Sequence, residues 1–164
     1  MGQETKPSIR IHLTRQRLEL REGDAVLRSY AVSTAKNGAG EKDGSECTPR
    51  GSHSIEAKIG AGAPSGSVFV GREPSGEICR PALFAAHPER DWILTRILWL
   101  GGLQPGFNQG GDVDSRLRTI YIHGCPEAVE VGVPGSHGCV RMQNDDVIDL
   151  FDRVEVGTRV EIDE

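Results

Sequence analysis

Short runs of alternating apolar and polar residues, separated by glycine-rich turns, dominate this sequence. "IRIHL" places Ile9, Ile11 and Leu13 on one face of a strand. "RLELR" and "AVLRSYAVS" follow it, and the polar turn at 22–24 between them predicts a hairpin. Glycine supplies 21 of the 164 residues, so many backbone positions can adopt conformations that other residues avoid. This pattern favours a loop-rich β domain over a helical bundle.

Strand signals recur to the end of the chain, and one helix interrupts them. The further strands are predicted at "HSIEAKI", "SVFVG", "RTIYIHG" and "RVEI", whereas 36–51 is predicted to be loop. A helix is predicted over 144–153, with Asn144 as its N-cap and two aspartates in its first turn. Its apolar face would consist of Val147, Ile148 and Phe151.

Residues 72–116 depart from the strand rhythm. Trp92, Leu94, Ile97 and Leu98 have helical spacing, and a glycine-rich stretch follows them. Such a segment is typical of a capping insertion that covers a site, and equally of an ordinary helix packed on a sheet. The length of the whole chain, 1–164, suits a single domain with one core.

Composition excludes several classes of partner. The formal net charge of −5 and the lack of a basic patch argue against nucleic acid. The longest apolar run, "WILTRILWL", is short and contains an arginine, so no membrane span is expected. No pattern indicates an oligomeric state.

The expected compartment is the cytoplasm. The first residues lack the apolar core of a secretion signal, although a periplasmic location would follow if a signal peptide had been removed. The four cysteines, at 47, 79, 125 and 139, show no compact disulfide framework. We therefore expect mostly free thiols, with Cys47 and Cys79 as plain buried or half-buried side chains.

The tripeptide His-Gly-Cys occurs twice, at 123–125 and 137–139, which raises the question of a zinc site. Histidine and cysteine are suitable zinc ligands, but paired ligands are usually separated by two to four residues. Here one residue separates each pair. The spacing disfavours zinc, and no metal is expected.

Nucleophilic catalysis accounts for the second repeat better. Cys139 lies in "SHGCVRM", where Gly138 allows close approach of a substrate and Arg141 can bind a carboxylate. Cysteine attacks as the thiolate and needs a base. His123 ends a predicted strand, and the loop after it is long enough to bring its imidazole near Cys139.

"IHG" followed by "SHGCVRM", with the histidine and the cysteine sixteen positions apart, resembles the L,D-transpeptidase catalytic domain family of the YkuD type. The resemblance extends over nearly the whole chain, from "IRIHLTRQRLEL" to "VGTRVEI". Arg141 stands where many members have asparagine. The resemblance implies an all-β sandwich of two mixed sheets with a short helix after the catalytic loop.

The resemblance also implies roles for the site residues. Cys139 would be the nucleophile, His123 its general base, and the carbonyl of Gly124 would orient the imidazole. Amides around Gly138 and Cys139 would form the oxyanion hole. The residues that would shape the site and position the substrate are Ser136, His137 and Arg141. Cys125 matches no catalytic position.

The implied reaction cleaves the bond between the L-centre of a diamino acid and D-Ala in a peptidoglycan stem tetrapeptide or muropeptide, without metal or organic cofactor. With water as acceptor the chain would be an L,D-carboxypeptidase of muropeptide recycling, as the cytoplasmic expectation favours. With an amine as acceptor it would crosslink stems or exchange D-amino acids. An inactive peptide-binding module is the third alternative, and the intact Cys139 and His123 argue against it.

Overall fold

The computed structural model describes residues 6–164, and strands form most of its regular structure. The strands are β1 (Pro7–His12), β2 (Arg17–Glu22), β3 (Ala25–Ala31), β4 (Gly51–Ile59), β5 (Ser67–Val70), β6 (Glu73–Ile78), β7 (Ile93–Gly102), β8 (Tyr121–Gly124), β9 (Val140–Met142) and β10 (Arg159–Asp163). Two α-helices, α1 (Pro81–Ala86) and α2 (Asn144–Arg153), and a 3-10 turn at Gly111–Val113 complete the elements.

The strands pair in both directions. The main path runs in the order β3-β2-β1-β10-β4-β7-β5-β6, and β8 joins it by pairing with β7. The β1–β10 and β8–β9 pairs are parallel, whereas the other pairs are antiparallel. The predicted all-β class with mixed pairing and a helix after the 135–139 loop is confirmed. The ten strands form one continuous hydrogen-bonded sheet, which branches at β7 because this strand pairs with β4, β5 and β8.

A buried apolar cluster joins the sheet to α2. Ile9, Ile11 and Leu18 are at most 1% exposed, and they belong to the same cluster as the buried face of α2. Burial of each such side chain contributes about 1.5–3 kcal/mol. That face consists of Val147, Leu150 and Phe151. The helix prediction over 144–153 is therefore confirmed, with Leu150 buried where the spacing had suggested Ile148.

The bounds of α2 agree with the prediction, but the N-cap lies one residue earlier than predicted. Gln143 has the extended backbone of an N-cap, and Asn144 is the first helical residue. The Asn144 side chain is engaged elsewhere, because its Oδ1 accepts a hydrogen bond from Thr95 Oγ1 at 2.6 Å. At ten residues α2 is the longer helix, and no helix within 6–164 combines the length and apolarity needed to cross a membrane.

The prediction of helical structure over Trp92–Leu98 is wrong. This stretch enters β7, where eight of ten residues are buried because both faces are covered. A strand buried on both faces is continuously apolar and has no period-two signal. The 72–116 segment thus contains the central strand of the sheet, and only its flanking parts can act as a cap.

Candidate active site

The parallel pairing of β8 with β9 places His123 directly opposite Arg141. Cys139 immediately precedes β9, so the histidine and the cysteine come from neighbouring strand ends. Both line a cavity of about 110 Å³. The other lining residues are Asp91, Arg118, Thr119, Ile120, Ser136, His137 and Arg141. The structure therefore gathers the polar side chains of both motifs around one small cavity.

His123 is buried, and a hydrogen bond of its ring indicates which nitrogen carries the proton. Nδ1 lies 2.7 Å from the carbonyl oxygen of Gly124. Because a carbonyl can only accept, the proton is on Nδ1, and Nε2 carries a free lone pair. Burial lowers the pKa of His123 below its usual value, and the Gly124 bond only partly opposes this effect. The imidazole is therefore neutral and able to take a proton at Nε2.

Gly124 is required by packing as well as by its carbonyl. A Cβ on this residue would overlap Asn144 Oδ1 and lie 2.7 Å from the carbonyl oxygen of Leu94. Any side chain here would push β8 away from β7 and displace the acceptor of the His123 proton.

The thiol of Cys139 is half-buried and is held by two backbone groups. It donates to the carbonyl oxygen of Thr119 and accepts from the N–H of Tyr121, both at 3.3 Å. Burial raises the pKa of Cys139 to about 12. Within residues 6–164 the thiol has no hydrogen bond to His123. The S–H must therefore rotate away from Thr119 before its proton can pass to the imidazole.

The loop before Cys139 is fixed by the buried Ser136 and by a glycine. Ser136 Oγ donates to the carbonyl of Cys139 at 2.6 Å and accepts the N–H of Gly138 at 3.2 Å. Gly138 has φ 132°, and a Cβ there would lie 3.3 Å from the carbonyl oxygen of Cys47. Thr48 Oγ1 donates to the Gly138 carbonyl at 2.9 Å. Glycine is thus required at 138 by both conformation and space.

These bonds determine which amide can face a substrate. The N–H groups of Gly135 and Ser136 both donate to Thr34, and that of Gly138 is used by Ser136. In the described part of the chain, the Cys139 N–H has no such acceptor. Of the two amides named from sequence, that of Cys139 is the one available to an oxyanion.

Arg141 and His137 complete the set of predicted residues. Arg141 is half-buried, and its Nη1 donates to the carbonyl of Gly135 at 3.1 Å, so one edge of its guanidinium braces the loop. His137 is exposed at the rim of the cavity. All the predicted side chains that carry polar groups therefore reach the same cavity.

Two further side chains line the cavity although no sequence motif points to them. Arg118 is half-buried and donates to the carbonyls of Gly40, Glu41 and Cys47, at 3.3, 3.0 and 2.7 Å respectively. Burial lowers its pKa. Asp91 is the one carboxylate among the described lining residues, and it belongs to the 72–116 segment. Neither residue lies in a motif, and no pattern in the sequence links them to Cys139.

The two His-Gly-Cys repeats do not converge on a metal site. Cys125 is buried, and its thiol donates to the carbonyl of Met142 at 3.3 Å, outside the cavity that Cys139 lines. Over residues 6–164 no three histidine, cysteine or acidic side chains form a metal-binding group. The four cysteines are free thiols, as predicted, with Cys47 and Cys79 half-buried.

Comparison with known proteins gives the relatives of this chain. The L,D-transpeptidase catalytic domain family, YkuD, matches residues 6–162. The chain is 50% identical over 48 residues to the probable L,D-transpeptidase YbiS of Escherichia coli (strain K12), which covers 29% of this chain and 16% of that protein. It is 44% identical over 61 residues to the putative L,D-transpeptidase YqjB of Bacillus subtilis (strain 168), or 37% of this chain and 33% of that one. The alignments thus span a third or less of these relatives.

Solved structures share the fold. An L,D-transpeptidase from Mycobacterium smegmatis has a TM-score of 0.59 at 18% identity, over 98% of this chain and 59% of that one. The L,D-transpeptidase of Xylanimonas cellulosilytica has a TM-score of 0.56 at 20% identity, over 99% and 63%. Because the family match covers nearly the whole chain, this protein belongs to the L,D-transpeptidase catalytic domain family.

Proposed function

We propose that this domain is a cysteine enzyme that cleaves the bond between the L-centre of the diamino acid and D-Ala in a peptidoglycan stem tetrapeptide, with water as acceptor. The observation that carries the proposal is the shared cavity of Cys139 and His123, with the imidazole held as the Nδ1–H tautomer. This arrangement offers a nucleophile and a base with a free lone pair.

In the acylation step, Nε2 of His123 accepts the Cys139 proton as the sulfur attacks the carbonyl carbon before D-Ala. The N–H of Cys139 stabilises the negative charge that develops on the carbonyl oxygen. The imidazolium then returns its proton to the nitrogen of D-Ala as the C–N bond breaks. The products of this step are free D-Ala and a thioester on Cys139.

In the second step, the neutral imidazole accepts a proton from water, which attacks the thioester carbonyl. The C–S bond breaks, the proton returns to sulfur, and the shortened stem leaves with a new carboxylate. No metal or organic cofactor is required by this sequence of proton transfers.

The charges around the cavity suit a zwitterionic substrate. Arg141 lies next to the loop of Cys139, and its planar guanidinium can bind the D-Ala carboxylate with two hydrogen bonds. Arg118 adds a second positive charge. Asp91 offers the opposite charge to the ammonium group of a diamino acid. Ser136 and His137 would position the loop and the rim of the site.

The choice of water rather than an amine as acceptor rests on the expected compartment. The four free thiols suit a reducing compartment such as the cytoplasm, where muropeptides are recycled. The second candidate, supported by the family name, is transfer to an amine that crosslinks stems or exchanges D-amino acids.

The test is incubation with a disaccharide tetrapeptide, with and without an added D-amino acid, followed by mass spectrometry. We expect the tripeptide product to dominate under both conditions, and the Cys139→Ala protein to form none. If crosslinked or exchanged product dominates, the acceptor is an amine rather than water. Binding without turnover by the wild-type protein would indicate a peptide-binding module.

A further inference from the structure

Strand β7 has an irregularity directly beside the proposed base. Leu94 pairs with Gly124, and Ile97 pairs with His123, so the register shifts between them. Thr95 and Arg96 are therefore extra residues of β7 with no partners on β8. Such bulges bend a strand and re-aim the groups next to it, and they are frequent beside active sites.

Thr95 adopts an unfavourable backbone conformation at this bulge. Its φ is 75°, and it is fully buried. A positive φ is rare for a β-branched residue because its side chain crowds the backbone. Residues held in this way persist where the surrounding structure fixes them, and they cluster at functional sites.

The surroundings of Thr95 fix it from both ends. Its Oγ1 accepts the N–H of Gly66 at 3.0 Å and donates to Asn144 Oδ1 at 2.6 Å. Its carbonyl oxygen accepts from Nη1 of Arg96 at 2.6 Å, and the same Nη1 reaches the carbonyl of Ala63 at 2.8 Å. Arg96 is itself buried, so these bonds form in a site that water does not share.

This cluster contacts Gly124, whose carbonyl holds the His123 proton. The space where a Cβ of Gly124 would lie is closed by Asn144 Oδ1, the Leu94 carbonyl and, at 3.1 Å, the Cβ of Thr95. The Gly124 backbone is therefore packed against Thr95, its hydrogen-bond partner Asn144 and the Leu94 carbonyl.

We propose that Thr95 is a positioning residue, which holds the Gly124 carbonyl where it keeps the His123 imidazole in the tautomer and orientation required for proton transfer. The proposal rests on the function proposed above. It predicts that the hydroxyl of Thr95 matters for the chemical step, although this hydroxyl does not line the cavity of Cys139.

The test compares Thr95→Val, which keeps the shape and removes the hydroxyl, with Thr95→Ser, which keeps the hydroxyl. Thr95→Val should reduce kcat for tetrapeptide hydrolysis roughly 10- to 100-fold with KM nearly unchanged, because small displacements of a reacting group cost about this much. Thr95→Ser should restore kcat to within about threefold of the wild type. Ser115→Ala is the matched control, since Ser115 is a buried hydroxyl that bonds His53 and lies outside the cavity of Cys139.

The deciding readout is the nitrogen NMR spectrum of histidine-labelled protein without substrate. The wild type and Ser115→Ala should show His123 as the Nδ1–H tautomer, whereas Thr95→Val should show a mixture. The proposal would be overturned if Thr95→Val had the spectrum and kcat of the wild type and lost only as much stability as Ser115→Ala. If Thr95→Val does not fold, Asn144→Ala removes the partner of Oγ1 instead, and an unchanged tautomer there overturns it equally. If the wild-type protein does not hydrolyse the tetrapeptide but Thr95→Val still shows a tautomer mixture, the positioning role is supported and only the proposed hydrolysis is rejected.

Discussion

The imidazole of His123 donates its Nδ1 proton to the carbonyl of its own neighbour, Gly124, across 2.7 Å. A carbonyl fixes the tautomer as a carboxylate would, but it brings no negative charge to stabilise an imidazolium. Burial lowers the pKa of His123 further and raises that of Cys139. The resting pair is therefore a neutral imidazole and a neutral thiol, and in the proposed mechanism proton transfer accompanies the attack on substrate.

This neutral pair predicts the pH dependence of alkylation at Cys139. With a thiol pKa of about 12, the thiolate fraction rises tenfold per pH unit throughout the range from 7 to 10. The rate of iodoacetamide labelling, followed by peptide mapping of Cys139, should rise with it and show no plateau. A plateau near pH 8 or below would contradict the neutral pair and indicate a preformed thiolate.

The buried histidines predict how stability depends on pH. His53 and His123 both have folded-state pKa values lowered by burial, so below about 6.5 the unfolded chain binds protons that the folded chain rejects. The contribution of the two neutral histidines to the free energy of unfolding is fully present above pH 6.5. It should fall toward pH 5, by up to about 1.4 kcal/mol per pH unit for each histidine. Urea unfolding at pH 7, 6 and 5 measures this slope.

The His123→Gln variant provides the control for that slope. It should remain folded at pH 7, lose turnover, and show a shallower decline in the free energy of unfolding between pH 6.5 and 5. An equally steep decline would show that groups other than His123 account for the pH dependence.

Arg141→Ala should weaken catalysis through loss of a carboxylate partner. A charge-assisted hydrogen bond contributes about 1.5–3 kcal/mol, which corresponds to a reduction in kcat/KM of about 10- to 100-fold. The kcat/KM of Arg141→Lys should lie between those of the wild type and Arg141→Ala, because lysine keeps the charge without the paired donors. Arg153→Ala removes an arginine on α2 that pairs with Asp149, and it should leave kcat/KM unchanged. Equal activity of Arg141→Ala and wild type would exclude Arg141 from substrate binding.

Gly138→Ala should disable the loop without unfolding the domain. At φ 132° an alanine is strained, and its Cβ would press on the Cys47 carbonyl at 3.3 Å. A shift of the 135–139 loop that relieves this contact would displace the adjacent Cys139 N–H. We expect kcat to fall by roughly two orders of magnitude, in line with loss of an oxyanion donor, while circular dichroism stays unchanged. Gly132→Ala is the control, since that position also has positive φ but open space around it. Comparable kcat in the two variants would contradict the role of the loop.

The sequence was informative where the signal is local. The first hairpin, the strand that ends at His123 and the helix over 144–153 all follow from residue periodicity or turn chemistry, and the structure has them there. The spacing of His123 and Cys139 matches the family pattern, and the two side chains line the same cavity.

The signals failed where the fold brings distant segments together. Strand β7 is buried on both faces, so its apolar run lacks alternation and its spacing matched a helix. Asp91 and Arg118 reach the cavity from loops that carry no motif. Asn144 suited an N-cap by residue type, but the bulge at Thr95 uses its side chain instead. These contacts depend on tertiary packing and leave no periodic trace in the sequence.

The most direct test of the central claim is to trap the acyl-enzyme. Wild-type protein is mixed with disaccharide tetrapeptide, quenched in acid within milliseconds to seconds, digested and analysed by mass spectrometry. We expect the disaccharide tripeptide acyl group as a thioester on Cys139 in the wild type. The Cys125→Ala protein should carry the same adduct, and the Cys139→Ala protein should carry none. An acyl group on Cys47, Cys79 or Cys125, or tripeptide formation by the Cys139→Ala protein at the wild-type rate, would contradict the account.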